Sequence, residues 1–170
     1  MAEQKKALRK ELRKQREERF IDGTWIHILE SRELLGATHV ASYISYGVEP
    51  QTRDLNHELL NRGITVLVPR LLPDKDLEWV VWNGEAEPLG QEFTDLERIN
   101  VVVIPALRVD QNGYRLGQGG GSYDRALPRL NAWKIALLHH GELTSENLPH
   151  EIHDAKINAA ATPETIVRFS

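Results

Sequence analysis

The sequence contains no cysteine among its 170 residues. This absence excludes thiol catalysis, cysteine-ligated metal sites and a disulfide scaffold, and it fits a reducing compartment. A chain of this length buries roughly two-thirds of its unfolded surface and needs neither disulfides nor a structural metal to fold. We therefore expect a single domain over residues 1–170.

Long hydrophobic runs are also absent. No apolar run reaches the roughly 18 residues that a membrane-spanning helix needs. The first residues are charged and lack the apolar segment of a secretory signal. We therefore expect a cytoplasmic protein that does not bind membranes.

The charge is unevenly distributed along the chain. The net charge is -4, yet residues 1–20 carry eight Lys and Arg against four Glu. Residues 3–19 are strong helix formers without Gly or Pro, and they predict a basic surface helix with a thin apolar stripe. A basic helix on an acidic body indicates a local anionic partner. Because no aromatic platform or base-reading motif accompanies it, we expect no nucleic-acid partner.

Apolar strand patterns alternate with helical patterns beyond this helix, which predicts an α/β domain with a mainly parallel sheet. The run at 101–104 is the most apolar, and we expect it to be a central buried strand. Asn112-Gly113, within the long loop 105–121, predicts the turn of a small hairpin. The other strands are predicted at 40–46, 64–68 (ended by Pro69), 77–82 near an edge, 135–138 and about 157–161. The other helices are predicted at 24–35 (capped by Thr24), 52–62 and 122–130.

A glycine-rich segment, Arg115 to Asp124, follows the most apolar strand and precedes a short helix. Open α/β sheets bind ligands at this position, beyond the carboxyl ends of their strands. Glycines let the backbone approach an anion and aim N–H groups at it, and the Arg115 fork suits phosphate oxygens. The segment therefore predicts a phosphate-binding site, and a nucleoside triphosphate is the ligand we expect there once the family resemblance described below is added. A flexible linker or a tight turn is the alternative, since the pattern is neither a P-loop nor a Rossmann fingerprint.

Asp124 is the anionic residue of this segment. Its carboxylate would be repelled by a bound phosphate unless a cation lay between them. The pattern therefore predicts Mg²⁺ bridging Asp124 and phosphate oxygens. An aspartate that only caps a helix is the alternative.

The segment Ile104–Arg125 resembles the signature of the 5-formyltetrahydrofolate cyclo-ligase family, also called 5,10-methenyltetrahydrofolate synthetases. Its order is proline, Gly-Tyr-Arg-Leu-Gly, a glycine run and Tyr-Asp-Arg. The resemblance extends to Lys5 and Arg9, to 45–52, to 68–70 and to 148–154. It implies a Rossmann-like three-layer fold with helices on both faces. It also implies ATP- and Mg²⁺-dependent conversion of 5-formyltetrahydrofolate to 5,10-methenyltetrahydrofolate, with release of ADP and phosphate.

The resemblance also implies site residues. Lys5 and Arg115 are implied as catalytic, through charge neutralisation and without a protein nucleophile. The implied ATP-binding residues are Lys5, Arg9, Arg115, Gly117, Gln118, Gly119, Gly120, Gly121, Ser122, Tyr123 and Asp124. The implied folate-binding residues are Tyr46, Glu49, Thr52 and Tyr123. Tyr46 and Trp82 are the weaker candidates, and core packing explains Trp82 better. The alternative for Glu49 is a charge at a helix N-terminus, and the alternative for Tyr123 is core packing. The implied metal ligands are Asp124 and, more weakly, Asn158.

Three positions depart from the family pattern. Ser122 stands where a tyrosine is usual, Glu142 where a glutamine is common, and Asn158 where an aspartate is frequent. These departures leave a second hypothesis open, a folate- or nucleotide-binding relative without catalytic activity. We expect a monomer, and we interpret His139-His140 as a strand-end pair.

Overall fold

The computed structural model describes residues 1–20 and 22–170. The α-helices are α1 (Ala2–Arg19), α2 (Arg32–Leu35), α3 (Arg53–Asn61) and α4 (Ser122–Ala126). The strands are β1 (His39–Ala41), β2 (Thr65–Leu71), β3 (Leu77–Val81), β4 (Val101–Pro105), β5 (Arg108–Asp110), β6 (Arg115–Leu116), β7 (Trp133–Leu137), β8 (Leu143–Thr144), β9 (Ala159–Ala161) and β10 (Ile166–Arg168). None of the helices in the described part of the chain is long and apolar enough to cross a membrane.

Seven strands form the main sheet, in the order β10-β9-β7-β4-β1-β2-β3. The five inner strands are parallel to one another. The outermost strands, β3 and β10, pair antiparallel with β2 and β9. The most apolar run, β4, is the central strand, and Val101–Ile104 are buried. The predictions of a mainly parallel α/β sheet and of a central strand at 101–104 are confirmed. A second sheet of three short strands has the order β6-β5-β8.

Both faces of the sheet are buried, because successive side chains along each strand point alternately into one of two apolar cores. Val40, Val101 and Val103 face one core, together with buried residues of the 3₁₀ helix Ile26–Glu30 and of α3. Val102 and Ile104 face the other core, which includes residues of the 3₁₀ helix Leu127–Arg129 that follows α4. Helical elements therefore cover both faces, which confirms the three-layer arrangement.

The basic helix α1 packs on a third, smaller core. Leu12 contacts a cluster with Leu107, Leu116 and Leu148, and Leu8 packs against its edge. Leu107 and Leu116 flank the β5–β6 hairpin, which follows the carboxyl end of β4. The thin apolar stripe of α1 thus places its basic side chains beside that end of the sheet.

The helix predicted at 24–35 is wrong as a single element. A 3₁₀ helix runs from Ile26 to Glu30, and α2 begins after Ser31, whose hydroxyl accepts a hydrogen bond from the Leu34 amide. Thr24 is not its cap, since the residue before the 3₁₀ helix is Trp25 with a φ of 52°. The Trp25 indole is buried and donates to the Leu138 carbonyl at 2.9 Å. Anchoring of the indole in the core therefore overrides local helix propensity.

The strand predicted at 40–46 ends at Ala41. The Tyr43 carbonyl accepts hydrogen bonds from the Thr52 hydroxyl and the Asn56 side-chain amide. Ser45 and Thr52 each donate a backbone N–H to the hydroxyl of the other, at 3.2 and 2.9 Å. Side chains at the start of α3 thus replace the sheet's hydrogen bonds, and the chain turns away from the sheet.

The strand predicted to stop at Pro69 continues to Leu71, so that boundary is wrong. β1 pairs with β2 only as far as Leu67, and at Pro69 only β3 is a neighbour. A proline is tolerated there because its missing N–H removes no bond on the open side. The helix predicted at 122–130 divides into α4 and the 3₁₀ helix that contains Pro128.

The remaining predicted elements are present with small shifts. The helix predicted at 52–62 is α3, and the edge strand predicted at 77–82 is β3. The strands predicted at 135–138 and about 157–161 are β7 and β9. The hairpin around Asn112-Gly113 is confirmed as β5 and β6, and the short strands β8 and β10 were missed.

Replacing Thr52 by valine should destabilise the fold, because the buried hydroxyl donates to the Tyr43 carbonyl and accepts from the Ser45 amide. Losing both bonds at constant shape is expected to lower the free energy of unfolding by about 1–3 kcal/mol. Urea denaturation with an unchanged m-value measures this loss. Thr94→Val, at an exposed site, is the control and should lie within about 0.5 kcal/mol of wild type. Equal stability of the two variants would contradict this role for Thr52.

Candidate active site

The glycine loop connects β6 to α4 beyond the carboxyl end of the central strand. Gly119 and Gly121 have φ values of +114° and +72°, a backbone conformation that side chains with a Cβ rarely adopt. A Cβ at Gly117 would lie 2.5 Å from Arg115 Nη1, so the backbone passes close over the guanidinium. The positive φ values therefore favour glycine at 119 and 121, whereas a side chain at 117 would require Arg115 to move.

Three basic residues of α1, four residues apart, reach this region. Lys5 Nζ lies 2.5 Å from Asp154 Oδ2, and Arg9 Nε donates to the Gly117 carbonyl at 2.9 Å. Arg13 donates to both the side chain and the carbonyl of Gln118, at 3.0 and 2.8 Å. Sequence reasoning missed Arg13, although its spacing from Arg9 places it on the same helix face. The helix thus holds a row of cations against the glycine loop.

Arg115 and Tyr123 stack beneath the loop. The guanidinium carbon of Arg115 lies 5.2 Å from the ring centroid of Tyr123, and its Nη1 donates to the Pro105 carbonyl at 3.3 Å. Burial lowers the pKa of Arg115, while Asp124 and Tyr123 oppose that shift. Burial also raises the pKa of the Tyr123 hydroxyl, which keeps it neutral. Arg115 is thus a fixed positive charge at neutral pH.

Asp124 faces these cations from the first turn of α4. Its Oδ1 accepts a hydrogen bond from the Ala155 amide at 3.3 Å. The neighbouring Asp154 is paired with Lys5; burial raises the pKa of that carboxyl, but the Lys5 hydrogen bond holds it below its usual value. Within residues 1–20 and 22–170, no group of three or more His, Asp or Glu side chains is arranged to hold a metal. The site fits Mg²⁺, which binds through one or two carboxylates and takes phosphate and water oxygens for the rest.

Asn158 and Ser122, two of the departures from the family pattern, have other partners. The Asn158 side-chain oxygen accepts from the Lys134 amide at 2.8 Å, at the amino ends of β7 and β9. The carboxamide thus joins two strands and is not beside Asp124, and we leave it out of the metal site. The Ser122 hydroxyl donates to the Lys75 carbonyl at 2.6 Å and ties α4 to the β2–β3 turn.

A cavity of about 720 Å³ opens beyond the carboxyl end of β1. Tyr46, Glu49 and Thr52, the residues implied for folate, all line it, and Trp82 forms part of its wall. Trp82 is mostly buried, with its indole N–H bonded to the Glu85 carbonyl at 2.7 Å. Tyr123, implied for both ligands, is not among the lining residues and packs instead between Arg115 and the second core.

The residues of this cavity differ in their freedom to bind a ligand. The Tyr46 ring is 77% exposed at the rim. The Thr52 hydroxyl is fully used by Tyr43 and Ser45, so Thr52 shapes the wall. Glu49 accepts the Tyr46 amide through Oε1 at 3.1 Å. Burial raises the pKa of the Glu49 carboxyl, and the Tyr46 amide and the Arg16 charge oppose that shift.

Arg16 is the residue that sequence reasoning most clearly missed, because only Lys5 and Arg9 were singled out among the eight basic residues of the first twenty. It is only 5% exposed and pairs with Glu142 through two hydrogen bonds of 2.6 and 2.7 Å. The signal was its position four residues after Leu12, on the buried stripe of α1. His139 likewise lies inside, where its Nε2 donates to the Val48 carbonyl at 2.7 Å.

Glu49→Gln is expected to stabilise the protein at neutral pH. A carboxyl whose pKa is raised by folding binds its proton more tightly in the native state, so the native state loses stability as the pH rises through that range. The neutral amide avoids this loss and can still accept the Tyr46 amide. Thermal unfolding should show a higher Tm for the variant at pH 7, and this advantage should disappear near pH 4.

The control is Glu87→Gln, which removes an exposed carboxylate. We expect its Tm at pH 7 to stay close to that of the wild type. A Glu49→Gln protein that is no more stable than this control at pH 7 would show that burial imposes no cost on the Glu49 charge.

Comparison with known proteins agrees with these features. The model of the family described as "5-formyltetrahydrofolate cyclo-ligase family" matches residues 1–163. The 5-formyltetrahydrofolate cyclo-ligase of Mycolicibacterium smegmatis is 31% identical over 154 residues, 80% of this chain and 78% of the relative. The enzyme of that name from Escherichia coli K12 is 28% identical over 144 residues, 75% and 79% of the two chains.

Two solved structures share the fold. The 5,10-methenyltetrahydrofolate synthetase of Aquifex aeolicus has a TM-score of 0.78 at 23% identity, covering 96% of this chain and 92% of its own. The synthetase of Mycoplasma pneumoniae has a TM-score of 0.73 at 19% identity, covering 92% and 96%. With the family model spanning nearly the whole sequence, the chain belongs to the 5-formyltetrahydrofolate cyclo-ligase family.

Proposed function

We propose that the protein catalyses the ATP-dependent cyclisation of 5-formyltetrahydrofolate to 5,10-methenyltetrahydrofolate, releasing ADP and phosphate. The observation that carries this proposal is the placement of two sites at one end of the sheet. The glycine loop with its basic helix lies beyond the carboxyl end of β4, after the β5–β6 hairpin. The cavity with Glu49 follows β1, which is the neighbour of β4. Ligands in these two places would meet at the carboxyl ends of adjacent parallel strands.

The ATP phosphates would bind between α1 and the glycine loop, against the amides of residues 117–124. Arg9 and Arg13 now donate to the carbonyl groups of Gly117 and Gln118. Phosphate oxygens are stronger acceptors than neutral carbonyls, so ATP should draw these guanidinium groups onto itself. Lys5 and Arg115 would then neutralise charge on the transferred phosphoryl group.

Mg²⁺ would be held by Asp124 together with ATP. When bound, the ion would neutralise negative charge on the phosphates. Asp124 is suited to this role because only its Oδ1 makes a hydrogen bond within the described residues. Its carboxylate also interacts electrostatically with Arg9 and Arg115, which keep it near the phosphates.

The folate would enter the cavity after β1. Glu49 accepts one internal hydrogen bond through Oε1, which leaves acceptor capacity for the N–H groups of a pterin ring. Tyr46 at the rim is free to close over a bound ring, and Trp82 supplies a fixed apolar wall. The half-buried Glu49 carboxylate would then gain in the complex hydrogen bonds that compensate for its loss of solvent contact.

The reaction requires activation of an unreactive formyl amide. The formyl oxygen attacks the terminal phosphorus of ATP, ADP leaves, and an imidate phosphate forms. The second nitrogen of the substrate, at position 10, then attacks the formyl carbon, closes the ring and loses its proton. The carbon–oxygen bond breaks, phosphate departs with the former formyl oxygen, and the cation 5,10-methenyltetrahydrofolate remains.

No protein nucleophile is needed in this sequence. The chain must align two bound molecules and neutralise the transferred charge, and alignment alone supplies much of the rate in such reactions. All residues assigned here come from one chain, and we propose that a monomer suffices.

The test is a turnover assay with 5-formyltetrahydrofolate and MgATP, following methenyltetrahydrofolate by absorbance and ADP by a coupled enzyme. We expect both products in equal amounts. If neither methenyltetrahydrofolate nor ADP is formed, the proposed function is refuted. Calorimetric binding of both ligands without turnover would instead favour the non-catalytic relative.

Arg115→Ala should lower kcat by a factor on the order of 10² to 10³, since one preorganised positive group facing developing charge is lost. Circular dichroism should show the native fold. Arg98→Ala, which removes an exposed guanidinium paired with Asp95, is the matched control and should keep wild-type kcat. Equal kcat in the two variants would remove Arg115 from the proposed mechanism.

Asp124→Asn should raise the Mg²⁺ concentration needed for half-maximal activity by about tenfold, because the amide brings no negative charge to the ion. A Mg²⁺ titration at saturating ATP measures this shift. Asp95→Asn, at a surface ion pair, should leave the titration unchanged. An unaltered metal dependence in Asp124→Asn would show that Asp124 does not bind the metal.

A further inference from the structure

The buried pair of Arg16 and Glu142 joins three loops at the carboxyl end of the sheet. Arg16 donates to both carboxylate oxygens of Glu142 and, through Nη2, to the Ala106 carbonyl at 2.6 Å. Ala106 follows β4, and Glu142 lies in the connection after β7. One side chain of α1 therefore fixes two neighbouring loops at once.

The third loop is reached through His139. Glu142 Oε1 accepts the His139 backbone amide at 2.7 Å, and the His139 ring donates from Nε2 to the Val48 carbonyl at 2.7 Å. Val48 adjoins Glu49, which lines the cavity after β1. The rings of Phe20 and Trp25 contact His139 edge-on, with centroids 5.3 Å away, and hold its orientation. The chain of contacts thus runs from α1 to the segment that carries Glu49.

We propose that Arg16 and Glu142 are positioning residues, which hold the Glu49 segment in register with the helix that covers the glycine loop. The inference rests on the proposed function, because it assigns the folate to the cavity beside Glu49 and the phosphates to the loop beneath α1. Neither residue lies among those that line the cavity or contact the glycine loop. Glu142 acts on the ligands through His139 and Val48, and Arg16 acts by holding Glu142 and, through its charge, on the Glu49 carboxyl.

The energetics of a buried ion pair favour a geometric role. Removing two charges from water is costly, and buried pairs of this kind are often replaceable by apolar residues without loss of stability. The helix α1 already has an apolar anchor in Leu12. An apolar pair cannot replace the hydrogen bond that Glu142 accepts from the His139 amide. It also cannot replace the hydrogen bonds that the Arg16 guanidinium donates to Glu142 and Ala106.

Two variants separate positioning from stability. Arg16→Met/Glu142→Met removes both charges but leaves the His139 amide and the Ala106 carbonyl without their partners. Because an unpaired buried charge costs more than unpaired neutral groups, the double variant should be at least as stable as Glu142→Gln, which leaves the Arg16 charge without a counter-charge. Glu142→Gln, in contrast, keeps an acceptor oxygen for the His139 amide. We expect a KM for 5-formyltetrahydrofolate about tenfold above wild type in the double variant and within about threefold in Glu142→Gln. The KM for ATP should stay within about threefold in both.

A merely structural pair predicts the opposite order, with the less stable Glu142→Gln having the higher folate KM. That order, or equal folate KM values in the two variants, would overturn the inference.

Hydrogen exchange tests the same contact without turnover. The Tyr46 and Glu49 amides are hydrogen-bonded within their own turn, to Glu49 Oε1 and to the Tyr46 carbonyl. In the double variant they should exchange about tenfold faster than in wild type, and in Glu142→Gln at nearly the wild-type rate. Unchanged exchange in the double variant would refute the positioning role even if the protein is an active cyclo-ligase. Failure of the wild type to turn over would refute the proposed function and leave this test standing.

Discussion

The attachment of α1 to the carboxyl ends of the parallel strands is the constraint on which the rest of the site depends. A helix this basic has little apolar surface, and Leu12 is its main hydrophobic anchor. Its position is therefore set by polar contacts: Lys5 to Asp154, Arg9 to the Gly117 carbonyl, and Arg16 to Glu142. These contacts place a row of cations above the glycine loop. They also connect the helix, through buried hydrogen bonds, to the neighbouring cavity.

The two halves of the site are built differently, and the difference suits their proposed ligands. The loop beneath α1 is backbone with positive φ at glycines and cations on either side, which matches a flexible polyanion such as a triphosphate. The cavity after β1 has a fixed wall at Trp82 and a half-buried carboxylate at Glu49, which match a flat ring with N–H groups. Stability and binding oppose one another at Glu49, because burial disfavours the charge that a ligand would use.

Local patterns predicted the mainly parallel α/β sheet, because strands and helices follow from periodicity within short segments. The three layers and most of the candidate site residues came instead from the family resemblance. The central strand was evident from Val101–Ile104, and the hairpin from Asn112-Gly113. Predictions were wrong where a distant side chain decides the backbone, as at Ala41, where hydroxyl and amide groups of α3 end the strand. Arg16 and Glu142 are 126 residues apart, and no local pattern pairs them. Asn158 was assigned by family resemblance alone, and its hydrogen bond to Lys134 places it at the other end of the strands.

The central claim is that the two sites cooperate to phosphorylate the formyl oxygen. It is tested most directly by turnover of 5-formyltetrahydrofolate labelled with ¹⁸O in the formyl group, followed by mass analysis of the released phosphate. The account predicts that the label moves into inorganic phosphate, one oxygen for each methenyltetrahydrofolate formed. Label released into water, with none in phosphate, would contradict it.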